Sequence, residues 1–235
     1  MSQPPIKLIL FDAVGTLMYP EPAVWDVYCQ IGSALGAALS PADVRMRFSS
    51  VFARTYQLQS EHLRGETSEE SERGRWQAIV REVLAELTDS DAAEAFETLW
   101  NHFADPQKWR LFADVAPTIA ALQERGLPIG IASNFDQRLL PICRSLLPQL
   151  ESQWIFVSSA LGWSKPAKGF YRAIERQTQR TPQEILLVGD DFENDFEMPA
   201  RLGWQTRWLR REMLEHQFGQ IRSLTELHDD FSRQP

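Results

Sequence analysis

Ile6-Lys7-Leu8-Ile9-Leu10-Phe11 runs without a break into Asp12, and the reading of this stretch decides the architecture. An apolar run so short, rich in Ile and Leu and cut off by one acidic residue, is too brief for a helix. It fits a parallel strand covered on both faces. The layout recurs twice: Pro128–Ala132 (PIGIA) leads into Ser133, and Ile185–Gly189 (ILLVG) leads into Asp190. Trp154–Ser158 (WIFVS) and Gln205–Leu209 are two further expected strands. Helical segments are expected between them at Val115–Arg125, Asp136–Leu146, Gly169–Gln177 and Asp195–Leu202, with Gly126 and Gly203 as stop signals after two of these. Alternating strand and helix predicts an α/β fold with a doubly wound parallel sheet.

From about Pro20 to Phe112 the pattern changes, and no strand is expected there. Val24, Val27, Tyr28, Ile31 and Leu35 recur at helical spacing, as do Val44, Phe48, Val51, Phe52 and Tyr56. Trp76, Ile79, Val80, Val83, Leu84 and Leu87 form a third stripe, and Phe96, Leu99, Trp100 and Phe103 a fourth. Four amphipathic helices between the first and second strands of the core predict an inserted helical bundle, residues 20–110, within a core built from 1–19 and 111–235. The polar run Gly65–Gly74 (GETSEESERG) reads as a solvated loop and helix start, and low complexity is confined to Ser232–Pro235.

The chain has 235 residues, of which 43% are hydrophobic, enough for a substantial core. Lys and Arg number 24 against 32 Asp and Glu, a net charge of −8. That balance argues against nucleic acid or an anionic membrane as the main partner. A small phosphorylated molecule remains compatible, because one lysine or one bound cation reverses the sign locally. No apolar run reaches the length of a membrane span, and the N-terminus lacks a signal-peptide layout, so a cytoplasmic location is expected. Cys29 and Cys143 form neither a disulfide framework nor a zinc pattern. Oligomeric state stays open.

Ligands of open parallel sheets bind at the carboxyl ends of the strands, where Asp12, Ser133 and Asp190 are expected to gather. Lys165, in a chain with only four lysines, and Asp195 extend that set. Each has an ordinary reading as a turn, cap or loop residue; Asp191 and Glu193 are left with it, Lys168 is read as a solvated helix start, and Asn194 as the cap of the following helix. Together the set resembles the haloacid dehalogenase-like (HAD) hydrolase superfamily. Phe11-Asp12-Ala13-Val14-Gly15-Thr16-Leu17 is similar to its first motif, Asp-x-Asp-Gly-Thr-Leu; Ser133-Asn134 resembles the second; Lys165-Pro166 the third; and Gly189-Asp190-Asp191-Phe192-Glu193-Asn194-Asp195 the fourth. The phrases SNFDQRL and ALGWSKPAKGFY resemble the HAD-like domain-containing protein 3 branch of that superfamily.

The resemblance implies a Rossmann-like core with an inserted helical type 1 cap, and a phosphatase working through an aspartyl phosphate on Asp12. It implies Mg²⁺ held by Asp12, the Val14 carbonyl and Asp190, with Asp195 behind them. Lys165 would hold the nucleophile, and Ser133 and Asn134 would bind substrate. One position departs from the pattern: the second Asp of the first motif is Val14. In the family's phosphatases that Asp protonates the leaving oxygen and activates water, so a slow phosphatase is expected. Two alternatives stay open, a non-catalytic ligand- or protein-binding module and a 2-haloacid dehalogenase, whose FDAYGTL motif is close to FDAVGTL. The acidic Gly189-Asp190-Asp191 speaks against the dehalogenase, because attack on carbon needs no metal. A Schiff-base phosphonatase lacks its lysine, since none lies between Asp12 and Lys108.

Overall fold

The computed structural model describes residues 5–62, 65–212 and 219–227, with 56–62 as backbone only; the Tyr56 side chain and Ser232–Pro235 lie outside the described residues. In chain order, β1 (Leu8–Phe11) and β2 (Met18–Pro20) precede four helices, α1 (Val24–Ala34), α2 (Pro41–His62), α3 (Glu69–Val83) and α4 (Asp89–His102). Next come β3 (Trp109–Leu111), α5 (Val115–Gln123), β4 (Ile129–Ser133), α6 (Leu139–Leu146), β5 (Ile155–Val157), α7 (Ser158–Leu161) and α8 (Lys168–Thr178). β6 (Ile185–Gly189), α9 (Met198–Arg201), β7 (Gln205–Leu209) and β8 (Gln220–Ile221) complete the order.

Six strands form one parallel sheet in the order β5-β4-β1-β6-β7-β8. Every residue of β1, β4 and β6 is buried, which is why these runs carry no polar alternation. Ile9 and Phe11 point into one apolar layer with Ile119, Ile142 and Val188. Leu8 and Leu10 point into the other with Phe170, Ile174 and Leu187. The continuous apolar pattern thus reports two cores served by alternate residues. β1 is central: Phe11 pairs with Ile131 on one side and Val188 on the other. The chain therefore leaves three adjacent strands at Asp12, Ser133 and Asp190, side by side.

The four inserted helices carry their own core, in which Val27, Tyr28, Ile79, Val83, Phe96 and Leu99 are buried. The structure corrects three local expectations. β2 and β3 pair antiparallel, Tyr19 with Arg110, so a strand does lie in the stretch expected to have none. Each is three residues long, too short to show a period, and its partner is about ninety residues away. Gly65–Gly74 is not simply solvated. Gly65 O accepts from Ser164 N at 2.7 Å, and Thr67 N donates to Gly162 O at 3.1 Å. Glu72 is buried, accepting from Thr67 Oγ1 at 2.7 Å and pairing with Arg75. Asp191, not Asn194, caps the turn Phe192–Glu197, its Oδ1 accepting from Asn194 N at 2.8 Å.

No helix among the described residues is long and apolar enough to cross a membrane. Cys29 and Cys143 are both free thiols.

Candidate active site

The Asp12 backbone N–H donates to Val188 O at 2.9 Å, which anchors the residue at the end of β1. The chain then closes a tight loop in which both Leu17 N and Met18 N donate to Ala13 O, at 2.8 and 2.9 Å. Gly15 sits in that loop at φ 90°, a conformation open to glycine. A Cβ on Gly15 would also lie 2.4 Å from Asp190 Oδ2. Gly189 does the same for Asp195, whose Oδ2 would be 2.2 Å from an added Cβ. Two motif glycines thus make room for two carboxylates.

Lys165 is the hub. Its Nζ donates to Asp12 Oδ1 at 2.7 Å, Asp195 Oδ1 at 2.6 Å and Ala132 O at 2.9 Å, and the residue is 2% exposed. Burial opposes the charge on this ammonium, but Asp12 and Asp195 outweigh it and hold Lys165 above the usual lysine range. Asp195 is likewise pushed above the carboxylate range, chiefly by burial, with Lys165 pulling the other way. Its second oxygen, Oδ2, accepts from Asp191 N at 3.1 Å. Asn134 positions the Lys165 segment: its Oδ1 accepts from Lys165 N at 2.7 Å and its Nδ2 donates to Lys165 O at 2.9 Å. The Asn134 amide is therefore engaged by backbone, leaving Ser133 as the hydroxyl that lines the cleft.

Removing the Lys165 charge should be costly. Lys165→Met leaves Asp12 and Asp195 without their counter-charge, and breaking a buried pair from one side typically costs about 3–5 kcal/mol. Urea denaturation of the variant should show a loss of that order at neutral pH. The sign with pH follows from Asp195. Its folded-state carboxyl is held above the unfolded value of about 3.9, so the folded state binds the extra proton and stability falls as pH rises. Lys165 pulls that carboxyl down, so without it Asp195 rises further and the Lys165→Met deficit should shrink as pH is lowered toward 5; a deficit that grows on acidification would contradict the assignment.

Asp190 closes the site from β6. Thr16 Oγ1 donates to its Oδ1 at 2.7 Å, and Trp208 Nε1 donates to its carbonyl at 2.9 Å. Its carboxyl faces the open cleft on one side; desolvation by the cleft wall, then the Asp12 charge, raise it above the carboxylate range. Thr16 escaped the sequence reading as a site residue, although its place directly after Gly15 was a usable signal.

Carboxylate oxygens of Asp12, Asp190 and Asp195 come within 4.8 Å of one another. Three acids facing one ammonium, all with hard oxygen donors, suit a small divalent cation such as Mg²⁺. The hydrogen bonds above use only Oδ1 of Asp12 and only Oδ1 of Asp190 but both oxygens of Asp195. Gly15→Ala tests this donor set. The new methyl meets the Asp190 carboxylate, and we expect Mg²⁺ affinity by calorimetry to fall about 10–100-fold, the usual scale for disturbing a ligand's support.

The cleft holding these groups has a volume of ≈ 560 Å³. It gathers Asp12, Val14, Ser133, Asn134, Lys165, Asp190 and Asp195, so every residue singled out from sequence lies on one surface. Val14 is 38% exposed and lines the cleft.

A family model of haloacid dehalogenase-like hydrolases matches residues 6–203, and the chain belongs to that family. It is 25% identical over 211 residues to the haloacid dehalogenase-like hydrolase domain-containing protein 3 of Danio rerio, covering 88% of this chain and 86% of that protein. Among solved structures it is similar to the HAD-hydrolase YfnB of Bacillus subtilis bound to magnesium (20% identity, 97% of this chain and 100% of that one, TM-score 0.73). It is also similar to the L-2-haloacid dehalogenase RSc1362 (19% identity, 97% and 100%, TM-score 0.69). At these identities the two structures speak for the fold.

Proposed function

We propose that the chain is a Mg²⁺-dependent hydrolase of small phosphomonoesters that works through an aspartyl phosphate, with residues 20–110 as a cap over a core of 1–19 and 111–235. The observation that carries this reading is the cluster itself: Asp12 on Lys165 Nζ at 2.7 Å, with Asp190 facing the same cleft. A haloacid reaction at carbon gives no use to Asp190 and its Thr16 and Gly15 supports. Phosphate chemistry does.

In this reading a carboxylate oxygen of Asp12 attacks phosphorus, the P–O bond to the leaving group breaks, and water then cleaves the acyl phosphate. Mg²⁺ held by Asp12, Asp190 and the Val14 carbonyl would offset the repulsion between carboxylate and phosphate dianion. Lys165 holds Asp12 in place, and Ser133 donates to the phosphoryl oxygens as charge spreads over them. Asp195 orients Lys165, and Asn134 holds the Lys165 peptide.

The test is phosphate release from a panel of phosphomonoesters with Mg²⁺ and with EDTA. Release that requires the metal is the expected result. Absence of release from every ester, with Mg²⁺ bound, would move the reading to a phosphate-binding module; metal-independent halide release from 2-chloropropionate would move it to a dehalogenase.

A further inference from the structure

A second cavity of ≈ 240 Å³ lies between the inserted helices and the sheet, and it adjoins the cleft: Val14, Phe52 and Asn134 line both. The rest of its wall is largely aromatic, with Phe48, Trp76, Phe103 and Trp109. Phe48 stacks on Phe52 and Trp76 at centroid separations of 5.7 and 6.3 Å, so the rings hold one another in place. Trp76, expected from sequence to be core, thus faces a cavity as well as the bundle interior.

Among the described residues the chamber has one cation, Arg138, and it is already engaged. Arg138 Nε and Nη2 donate to the buried Asp136 at 2.8 and 2.7 Å, and its guanidinium stacks on Trp100 at 3.4 Å. Tyr28, 1% exposed, adds a hydroxyl kept neutral by burial against the pull of Arg138. Such a space accepts an uncharged ring and offers little to a carboxylate.

We propose that this chamber receives the leaving group of the substrate, and that the substrates are phosphomonoesters of phenols, an aromatic ring ester-linked to the phosphate held at Asp12. The proposal rests on the phosphatase reading and narrows it. Size permits it, since an apolar cavity of roughly 150 Å³ suffices for benzene. Chemistry points the same way through Val14. With no acid at that position the leaving oxygen departs as an anion. A phenol ionises near pH 10, as tyrosine does, at about 10, whereas water needs roughly 16 and aliphatic alcohols resemble water. Asp12 forms the new O–P bond, the aryl ester's O–P bond breaks, and the electron pair leaves on the aryloxide, which the solvent protonates. Water then returns the phosphate as HPO₄²⁻ with release of a proton. The residue that removes the acid is thus also the apolar wall between phosphate and ring.

The test has a binding arm and a turnover arm, both on the full chain with Mg²⁺. By calorimetry, benzylphosphonate should bind about 10–100-fold tighter than methylphosphonate, the scale of filling an apolar pocket. Val24→Trp, which fills the chamber from α1, should bring that ratio close to one; if it fails to fold, Trp76→Leu should lower the ratio instead. In turnover, phenyl phosphate should exceed ethyl phosphate in kcat/KM by about a hundredfold or more. Acetyl phosphate, a better leaving group with no ring, should match or exceed phenyl phosphate in kcat and fall behind it in KM. Equal binding of the two phosphonates, or no binding of either, overturns the chamber proposal. Selective benzylphosphonate binding without hydrolysis of any ester overturns the phosphatase reading and upholds the chamber as an aryl phosphate site.

Discussion

Val14→Asp should raise kcat for alkyl phosphates by about 10²–10⁴-fold, the usual contribution of a positioned acid–base group. The position is ready for it. Val14 lies two residues from Asp12 on a loop locked by the paired donors Leu17 N and Met18 N on Ala13 O, and it already lines the cleft. A carboxyl there meets water and the leaving oxygen without burial, because the native residue is 38% exposed. The backbone carbonyl assigned to Mg²⁺ is unaffected by the substitution. The gain should be smaller for phenyl phosphate, whose leaving group needs the proton less. Steady-state kinetics on ethyl and phenyl phosphate in both proteins checks it. An unchanged rate on both esters, with Asp12 still required, would mean that protonation of the leaving group does not limit the native protein.

Asp12→Asn should lower Mg²⁺-dependent phosphate release by about three orders of magnitude or more, as loss of a nucleophile does elsewhere. The change is nearly isosteric, and Lys165 keeps Asp195 at 2.6 Å and Ala132 O at 2.9 Å, so the fold should survive. A second readout separates nucleophile from ligand. Native protein quenched in acid during turnover should carry covalently bound phosphate, and Asp12→Asn should carry none. Equal labelling of both proteins would place the phosphoryl group on another residue. Turnover without labelling in either would point to direct attack by water.

The strands and the chemical set were legible because both are written locally. Ile6–Phe11 and Ile185–Gly189 show their burial in consecutive residues, and each ends at a polar residue that the sheet then brings beside the others. Thr16 on Asp190, a contact across 174 positions, was not legible in that way. Nor was the clasp of Asn134 on the Lys165 backbone, 31 positions on. The β2–β3 pairing was invisible for a related reason, since three residues cannot display a period. The Gly65–Gly74 run misled because its composition is that of a solvated loop, whereas Thr67 and Glu72 satisfy each other inside the molecule.

By itself the sequence determined the parallel sheet, the insertion of four helices, and the gathering of Asp12, Ser133 and Asp190 at the carboxyl ends of adjacent strands. These follow from backbone periodicity and residue chemistry, which neighbours along the chain reveal. Only the tertiary structure decided that Gly15 makes room for the Asp190 carboxylate and that Val14 stands between an acidic cleft and an aromatic chamber. Those properties belong to distances between helices and strands packed from opposite ends of the chain, and packing geometry is set by how side chains fill shared space.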